Sequence, residues 1–219
     1  MGSTEKKYEF AEGTIKVSGK VLHRIKAVRD FGNIKAGELG GYIEKEENLS
    51  HEGNCWVFGY AKVYDDAKVY GNAKVYGYAE VFGDAEVYGY AKVYDNAEVF
   101  DHAEVYNNAE VYHDAEVYGN AKVYGYAEVL GDAEVLGDAE IKGKTDYIVF
   151  ENWWSSGRYF TWTRSNNMWK VGCFYGTEDE LIKEAYRDSE ESGREYERVV
   201  RYVESILADN AVEIKSSKL

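Results

Sequence analysis

From Val57 to Glu140 apolar and polar positions alternate in a six-residue phrase that recurs fourteen times without interruption. The first position is Val in every copy and the fifth is Ala in every copy. In a unit such as Ala61-Lys62-Val63-Tyr64 the period is two, which predicts a strand with Ala and Val on one face. The next two residues form a turn pair, as in Gly71-Asn72 and Gly83-Asp84, and the first of each pair is always Gly, Asp, Asn or His. Those residue types tolerate positive φ best. A turn former in every phrase excludes a helix. A flat stack of hairpins is disfavoured, because such uniform strands would have no fixed register.

The remaining solution is a coil in which three strands and three corners, three hexads in all, make one triangular turn, with Val and Ala filling the bore. The aliphatic residue followed four positions later by a small one, as in Val63 to Ala67, resembles hexapeptide-repeat proteins. That resemblance implies a mainly β fold, a left-handed parallel β-helix; the hand comes from the family, since crossovers are otherwise right-handed. The family often has a small residue directly after the aliphatic one. Here that slot holds Tyr, Phe or Leu. Residues three hexads apart then stack into outward ladders: Tyr64, Phe82, Phe100, Tyr118; Tyr70, Tyr88, Tyr106, Tyr124; and Tyr76, Tyr94, Tyr112. Such ladders either stiffen the rungs or form a subunit or partner interface.

Residues 1–42 read as an N-terminal cap, with Val17, Val21, Leu22, Ile25, Val28 and Phe31 closing the open end of the coil. Ile43 and Leu49 fall in phase with the Ala slots, so a degenerate turn is expected there and the β-helix is taken as 43–143. The stretch from Ala27 to Trp56, including Gly40-Gly41-Tyr42-Ile43-Glu44, is similar to the opening segment of bacterial and prophage hexapeptide-repeat proteins.

Residues 144–219 change pattern and predict a small α+β domain. Strands are expected at Asp146–Glu151, Arg158–Arg164 and Met168–Tyr175. Thr177-Glu178-Asp179-Glu180 is a capping box opening one helix. A second helix from about Gly193 to Ala208 buries Tyr196, Val199, Val200, Val203, Ile206 and Leu207. This domain is rich in aromatic and basic residues. Trp153, Trp154, Arg158, Tyr159, Trp162, Arg164 and Trp169 are the candidate ligand- or partner-binding residues, on the expectation that one face of Tyr159–Thr163 packs on the helices and the other meets a partner or a subunit.

Charge sharpens the picture of the rod. The chain has 219 residues and a formal net charge of −14. Residues 57–142 hold 6 Lys against 17 Asp plus Glu, so the repeat carries most of the acidity. Glu80, Glu98, Glu116 and Glu134 stack behind Lys62 as a candidate acidic face, either solubilising or presented to a basic partner in imitation of nucleic-acid phosphate. The sign disfavours direct nucleic-acid binding by the rod. No apolar run is long enough for a membrane span, and no secretory leader is evident, so a cytoplasmic location in a bacterial cell is expected. The terminal Ser217-Lys218-Leu219 matches a peroxisomal address but reads as chance in such a chain. Cys55 occupies an Ala slot and Cys173 lies in an apolar strand, so both are expected to be buried free thiols.

Catalytic chemistry finds little support. Hexapeptide-repeat acyltransferases use a catalytic His and a loop protruding from the coil, but this rod has no insertion. Its only histidines, His102 and His113, sit in turn pairs. With His23 in the cap and His51 in the degenerate first turn, they do not form the three-His pattern that a γ-type carbonic anhydrase needs. No phosphate-cradling loop, nucleophile elbow or cysteine cluster occurs. The expectation is therefore a non-enzymatic binding protein without cofactor or metal, a homotrimer that neutralises a host component such as a defence protein or a nucleotide signal. The resemblance to prophage proteins suggests that role. The alternatives are a structural scaffold, an acyltransferase relative and a phosphate-mimic inhibitor.

Overall fold

The computed structural model describes residues 5–153 and 156–216, with side chains described as far as residue 208. Two compact units result: residues 1–148 with 163–166, and residues 149–162 with 167–219.

The first unit is the predicted parallel β-helix. Strands β1 (Tyr8–Val17) and β2 (Lys20–Ala27) form an antiparallel hairpin, and β3 (Leu39–Ile43) pairs with β2 and then, in parallel, with the coil. Fifteen two-residue strands follow, β4 to β18, from Trp56–Val57 to Glu140–Ile141. They fall on three parallel faces: β3-β5-β8-β11-β14-β17, β4-β7-β10-β13-β16 and β6-β9-β12-β15-β18. Within the repeat each strand pairs with the one three hexads on, for example Glu98 beside Glu116 and Val99 beside Val117. Every repeat Val and Ala from Val57 to Ala139 is buried in the bore, none more than 1% exposed. The first residue of all fourteen turn pairs has positive φ, from 56° to 73°. Nine are Gly; Asp65, Asp95, Asp101, Asn107 and His113 take the same conformation.

The degenerate first turn departs from the expected phase. Ile43 pairs with Val63 and Leu49 bridges to Val69, so both occupy Val slots rather than Ala slots. Val57 pairs with Val75 at the regular spacing of three hexads, whereas Ile43 stands two positions further from its partner. The corner between Leu49 and Val57 is therefore longer than its successors by those two positions. Cys55 does take the bore position of an Ala and is fully buried. Lys7, also fully buried, fills the enlarged corner: its Nζ donates to the Cys55 carbonyl at 2.9 Å and lies 3.2 Å from Cys55 Sγ. The Tyr8 hydroxyl donates to the carbonyls of Leu49 (2.8 Å) and Glu46 (3.0 Å). These contacts supply partners for backbone groups that a free coil end would leave open.

The cap packs around Trp56, which meets Phe31 and Tyr8 edge-on at 5.3 and 6.1 Å. Gly40 and Gly41 permit this approach: a Cβ on Gly40 would lie 2.6 Å from Ile25, and one on Gly41 would lie 2.5 Å from the Ala61 carbonyl. Leu22, Ile25 and Phe31 are buried as expected, but Val21 and Val28 are exposed (41% and 42%). Val21 takes an outward position of β2, and Val28 lies just past its end. At the other end, Ser165 Oγ accepts the Glu140 amide at 2.7 Å, and the Arg164 amide donates to the Asp146 carbonyl at 2.8 Å.

The second unit is built on the sheet β19 (Tyr147–Asn152), β20 (Arg158–Thr163), β21 (Met168–Val171) and β22 (Phe174–Gly176), in that order, with helices α1 (Glu178–Asp188) and α2 (Glu190–Ser216). The single strand expected over Met168–Tyr175 is broken into two by Gly172, whose φ is 54°. The turn leaves Cys173 exposed, contrary to expectation. At the start of α1 the Glu180 carboxylate accepts the Thr177 amide at 2.9 Å, as the capping box predicts. Helix α2 begins at Glu190, earlier than expected, and runs past residue 208. It buries Tyr196, Val200 and Val203, while Val199, Ile206 and Leu207 are half-buried. Phe160 is the hub: it stacks on Phe150 at 5.2 Å and meets Tyr196 and Trp169 edge-on.

Candidate functional site

The rod surface is internally paired to a degree the sequence pattern alone did not reveal. From Tyr64 to Tyr124 the ladder aromatics three hexads apart stack with ring centroids 4.6–5.2 Å apart and planes within 6°, whereas Phe58 meets Tyr76 edge-on at 6.3 Å. Where an acid stands beside a ladder tyrosine on the next rung, the phenol reaches it. Tyr64 donates to Glu80 at 2.9 Å, Tyr70 to Glu86 at 2.7 Å, Tyr88 to Glu104 at 2.8 Å and Tyr94 to Glu110 at 3.0 Å. Tyr112, Tyr118 and Tyr124 repeat the bond to Glu128, Glu134 and Glu140. Burial and the adjoining carboxylate raise the pKa of Tyr64, Tyr70, Tyr88, Tyr94 and Tyr118 well above 10.0.

The candidate acidic face accordingly splits. Glu80 is held by Lys62 at 2.6 Å as well as by Tyr64, and Glu134 by Tyr118. At the equivalent positions before Glu98 and Glu116 stand Phe82 and Phe100, which have no hydroxyl to offer. Burial, then repulsion from Glu80, pushes the Glu98 carboxyl above its ordinary range. The column is therefore less a uniform strip of carboxylates than a ladder with one apolar, aromatic interval.

The aromatic candidates of the second unit also divide. Trp162 and Trp169 are core residues, 2% and 1% exposed. Trp162 Nε1 donates to Asn167 Oδ1 at 3.0 Å. Alternation along β20 stops at Tyr159: Phe160, Thr161, Trp162 and Thr163 are all buried, so the strand has no second face for a partner. Arg164 is exposed but tied down, its Nε donating to the Thr145 carbonyl at 2.8 Å. Trp153, Arg158 and Tyr159 remain at the surface, with Trp153 71% exposed. Trp154 lies outside the described residues.

Sequence reasoning missed a cavity of about 320 Å³ in this unit, between β19 and α2. Phe150, Glu151, Asn152, Glu195, Arg198, Val199 and Tyr202 line it; most of its accessible wall is apolar, and its charged groups are two carboxylates and one guanidinium. Asn152 is 3% exposed, and neither its amide nitrogen nor its amide oxygen has a hydrogen-bond partner. A buried amide left unpaired is costly, about 1–3 kcal/mol. Native proteins keep few such groups. Tyr202, 62% exposed, stands at the rim. Arg198, largely exposed, forms an ion pair with the half-buried Glu195 one turn earlier on the same helix. The only sequence signal was the half-apolar stripe of α2; nothing local links Asn152 to it.

Both rod histidines face an acid on the neighbouring rung: His113 Nδ1 lies 3.2 Å from Asp95 Oδ2, and His102 Nδ1 lies 3.5 Å from Asp84 Oδ2. Both rings are exposed. Among the described residues no group of three or more His, Cys, Asp or Glu is placed to hold a metal ion. No helix among them is long and apolar enough to cross a membrane.

No protein-family model matches the chain. One curated protein, the uncharacterized acetyltransferase YdcK of Escherichia coli strain K12, is 45% identical over 38 residues. The match spans 17% of this chain and 12% of that protein. Together with the three-hexad turns, it makes the chain similar to hexapeptide-repeat proteins in architecture.

Proposed function

We propose that this chain is a non-enzymatic binding protein in which the β-helix is a rigid scaffold and the C-terminal α+β unit carries the recognition site. The observation that carries this reading is the contrast in polar satisfaction. Along the regular repeat, many phenols, carboxylates and ammonium groups answer one another; among the described residues the buried polar atoms without a partner fall outside it, at Arg29, His51, Asn152 and Trp169, and of these Asn152 lies beside an apolar cavity. Cavities of this kind, mostly apolar with a few polar groups, are the usual form of a small-molecule site. A captured host nucleotide signal fits that form, and exposed Trp153 and Arg158 fit a site that meets a larger partner.

Native mass spectrometry of the full chain after exposure to bacterial lysate tests the reading. The expected result is a captured species of a few hundred daltons that is lost in Tyr202→Ala and retained in Glu98→Gln. A captured species indifferent to Tyr202, Trp153 and Arg158, or no captured species, contradicts it. An added protein mass lost in Trp153→Ala or Arg158→Ala redirects the reading toward a protein partner.

An acyltransferase is the second reading. The short match to an acetyltransferase and the two His–Asp pairs favour it, since a carboxylate beside Nδ1 orients an imidazole for base catalysis. It requires acetyl-CoA consumption that His102→Ala or His113→Ala removes.

A further inference from the structure

One face of the β-helix is complementary to itself; we infer that the face β4-β7-β10-β13-β16 docks, antiparallel, on the same face of a second copy of this chain. Along that face the outward charged column reads Lys74, Lys92, Glu110, Glu128, each beside the next on adjacent rungs. Reversing the direction of this column exchanges its signs. An antiparallel copy therefore sets Lys74 opposite Glu128 of the second copy and Lys92 opposite Glu110 of the second copy, and the two-fold axis repeats both contacts. A parallel copy brings like charges level along the whole column, the arrangement that interfaces avoid. The other two faces lack this symmetry. Their columns of five charges, reversed on themselves, set Glu98 against Glu98 or Glu104 against Glu104. Lys92 already holds Glu110 of its own chain at 2.6 Å, but Lys74 stands between Trp56 and Lys92 and has no carboxylate beside it in its column. The second copy supplies one.

The exposed aromatics of the repeat gather at the same face. Tyr60, Tyr78, Tyr90 and Tyr126 are the repeat tyrosines that stand largely in solvent, and all four occupy the two corners flanking it. The third corner carries Asp66, Asp84, His102, Asn120 and Asp138 in their place. Exposed aromatic side chains gathered about one face are a mark of a protein interface. The register set by the charges brings the rung at 72–78 against the rung at 126–132, and it gives these phenols partners. Tyr78 falls opposite Asp132, and Tyr90 opposite Asn108. Tyr126, 81% exposed, falls opposite Asn72. Asn72 borders a cavity of about 420 Å³ between this corner and the cap, whose charged groups are Glu38 and Lys74 and whose walls include Phe58 and Tyr90. Knob and hole thus lie three rungs apart on one chain, and the two-fold axis fills both cavities of the dimer.

Sedimentation equilibrium of the full chain tests the inference. A reversible equilibrium between monomer and dimer is expected. Lys74→Glu and Glu128→Lys each set like charges face to face twice, and each is expected to raise the dimer dissociation constant about tenfold or more. Mixed in equal amounts, the two variants are expected to recover the original affinity as a heterodimer, because both of its outer contacts are again opposite in sign. Tyr126→Ala, at an exposed corner, is expected to weaken the dimer about tenfold or more with an unchanged thermal midpoint. A chain that stays monomeric at every concentration, a trimer, a mixture of the two charge variants that fails to recover pairing, or a dimer indifferent to all three substitutions overturns the inference. The face lies wholly in the first unit, so lysate capture by the second unit is expected to persist in all three variants.

Discussion

The rod and the C-terminal unit solve opposite problems with similar residues. Both are rich in tyrosine and acid. In the rod, each ladder tyrosine stacks on its equivalent three hexads away and donates to the next rung's carboxylate where one stands there, so repetition itself supplies the partner. In the second unit no repeat exists, and every aromatic needs its own niche. Phe160, Trp162 and Trp169 find one in the core. Trp153 and Tyr202 remain outside, and Asn152 remains unpaired. Regularity gives every rung the same surroundings; irregularity gives each residue of the second unit its own.

The largest break in this comparison should come from the bore. Ala103 is fully buried where three faces converge, and Ala103→Leu would force extra methylenes into a filled space. A loss of about 1–3 kcal/mol or more is expected in denaturant unfolding of the rod. The same enlargement at Tyr202→Trp in the second unit should leave stability almost unchanged.

Next in size is the response to alkali. Folded-state tyrosine pKa values in the rod are raised above 10.0, so the folded state favours the neutral phenol. That contribution is fully present below about pH 10, the unfolded value, and is lost as pH rises through the folded values. Circular dichroism should show the rod's stability holding to about pH 10 and then falling steeply. Stability that declines evenly from about pH 8, well below the phenol range, would contradict the ladder.

Smaller effects sharpen the same point. Tyr94→Phe removes the bond to Glu110 and should cost about 1 kcal/mol or less, given partial exposure. Phe82→Tyr does the reverse: it would place a hydroxyl toward Glu98, the acid whose pKa burial raises. A gain of a few tenths of a kcal/mol and a lowered Glu98 pKa in NMR titration are expected. No change at Glu98 would mean that the phenol-to-next-rung pairing is not transferable.

Much of this was legible in the sequence, for a physical reason. A Val or Ala every few residues and a positive-φ residue in every hexad leave one economical architecture, and all fourteen turn positions have the conformation their residue types anticipate. The ladders follow from the three-hexad register. The enlarged corner before Val57 did not, because hydrophobic phase alone cannot distinguish Ile43 at an Ala slot from Ile43 at a Val slot two positions on. Nor does any pattern announce that Lys7 fills that corner. In the second unit, helix signals at Thr177–Glu180 were readable, but strand alternation failed at Phe160–Thr163 because both sides of β20 are covered. The cavity was invisible, since it depends on where α2 sets Tyr202 and Val199 against Asn152.

Hydrogen–deuterium exchange of the full chain, free and with its captured ligand, tests the central claim most directly. The account predicts new protection confined to residues 147–207 of the second unit, with the rod's amides from 57 to 141 unchanged. Protection running along one face of the rod, with the second unit unaltered, would contradict it.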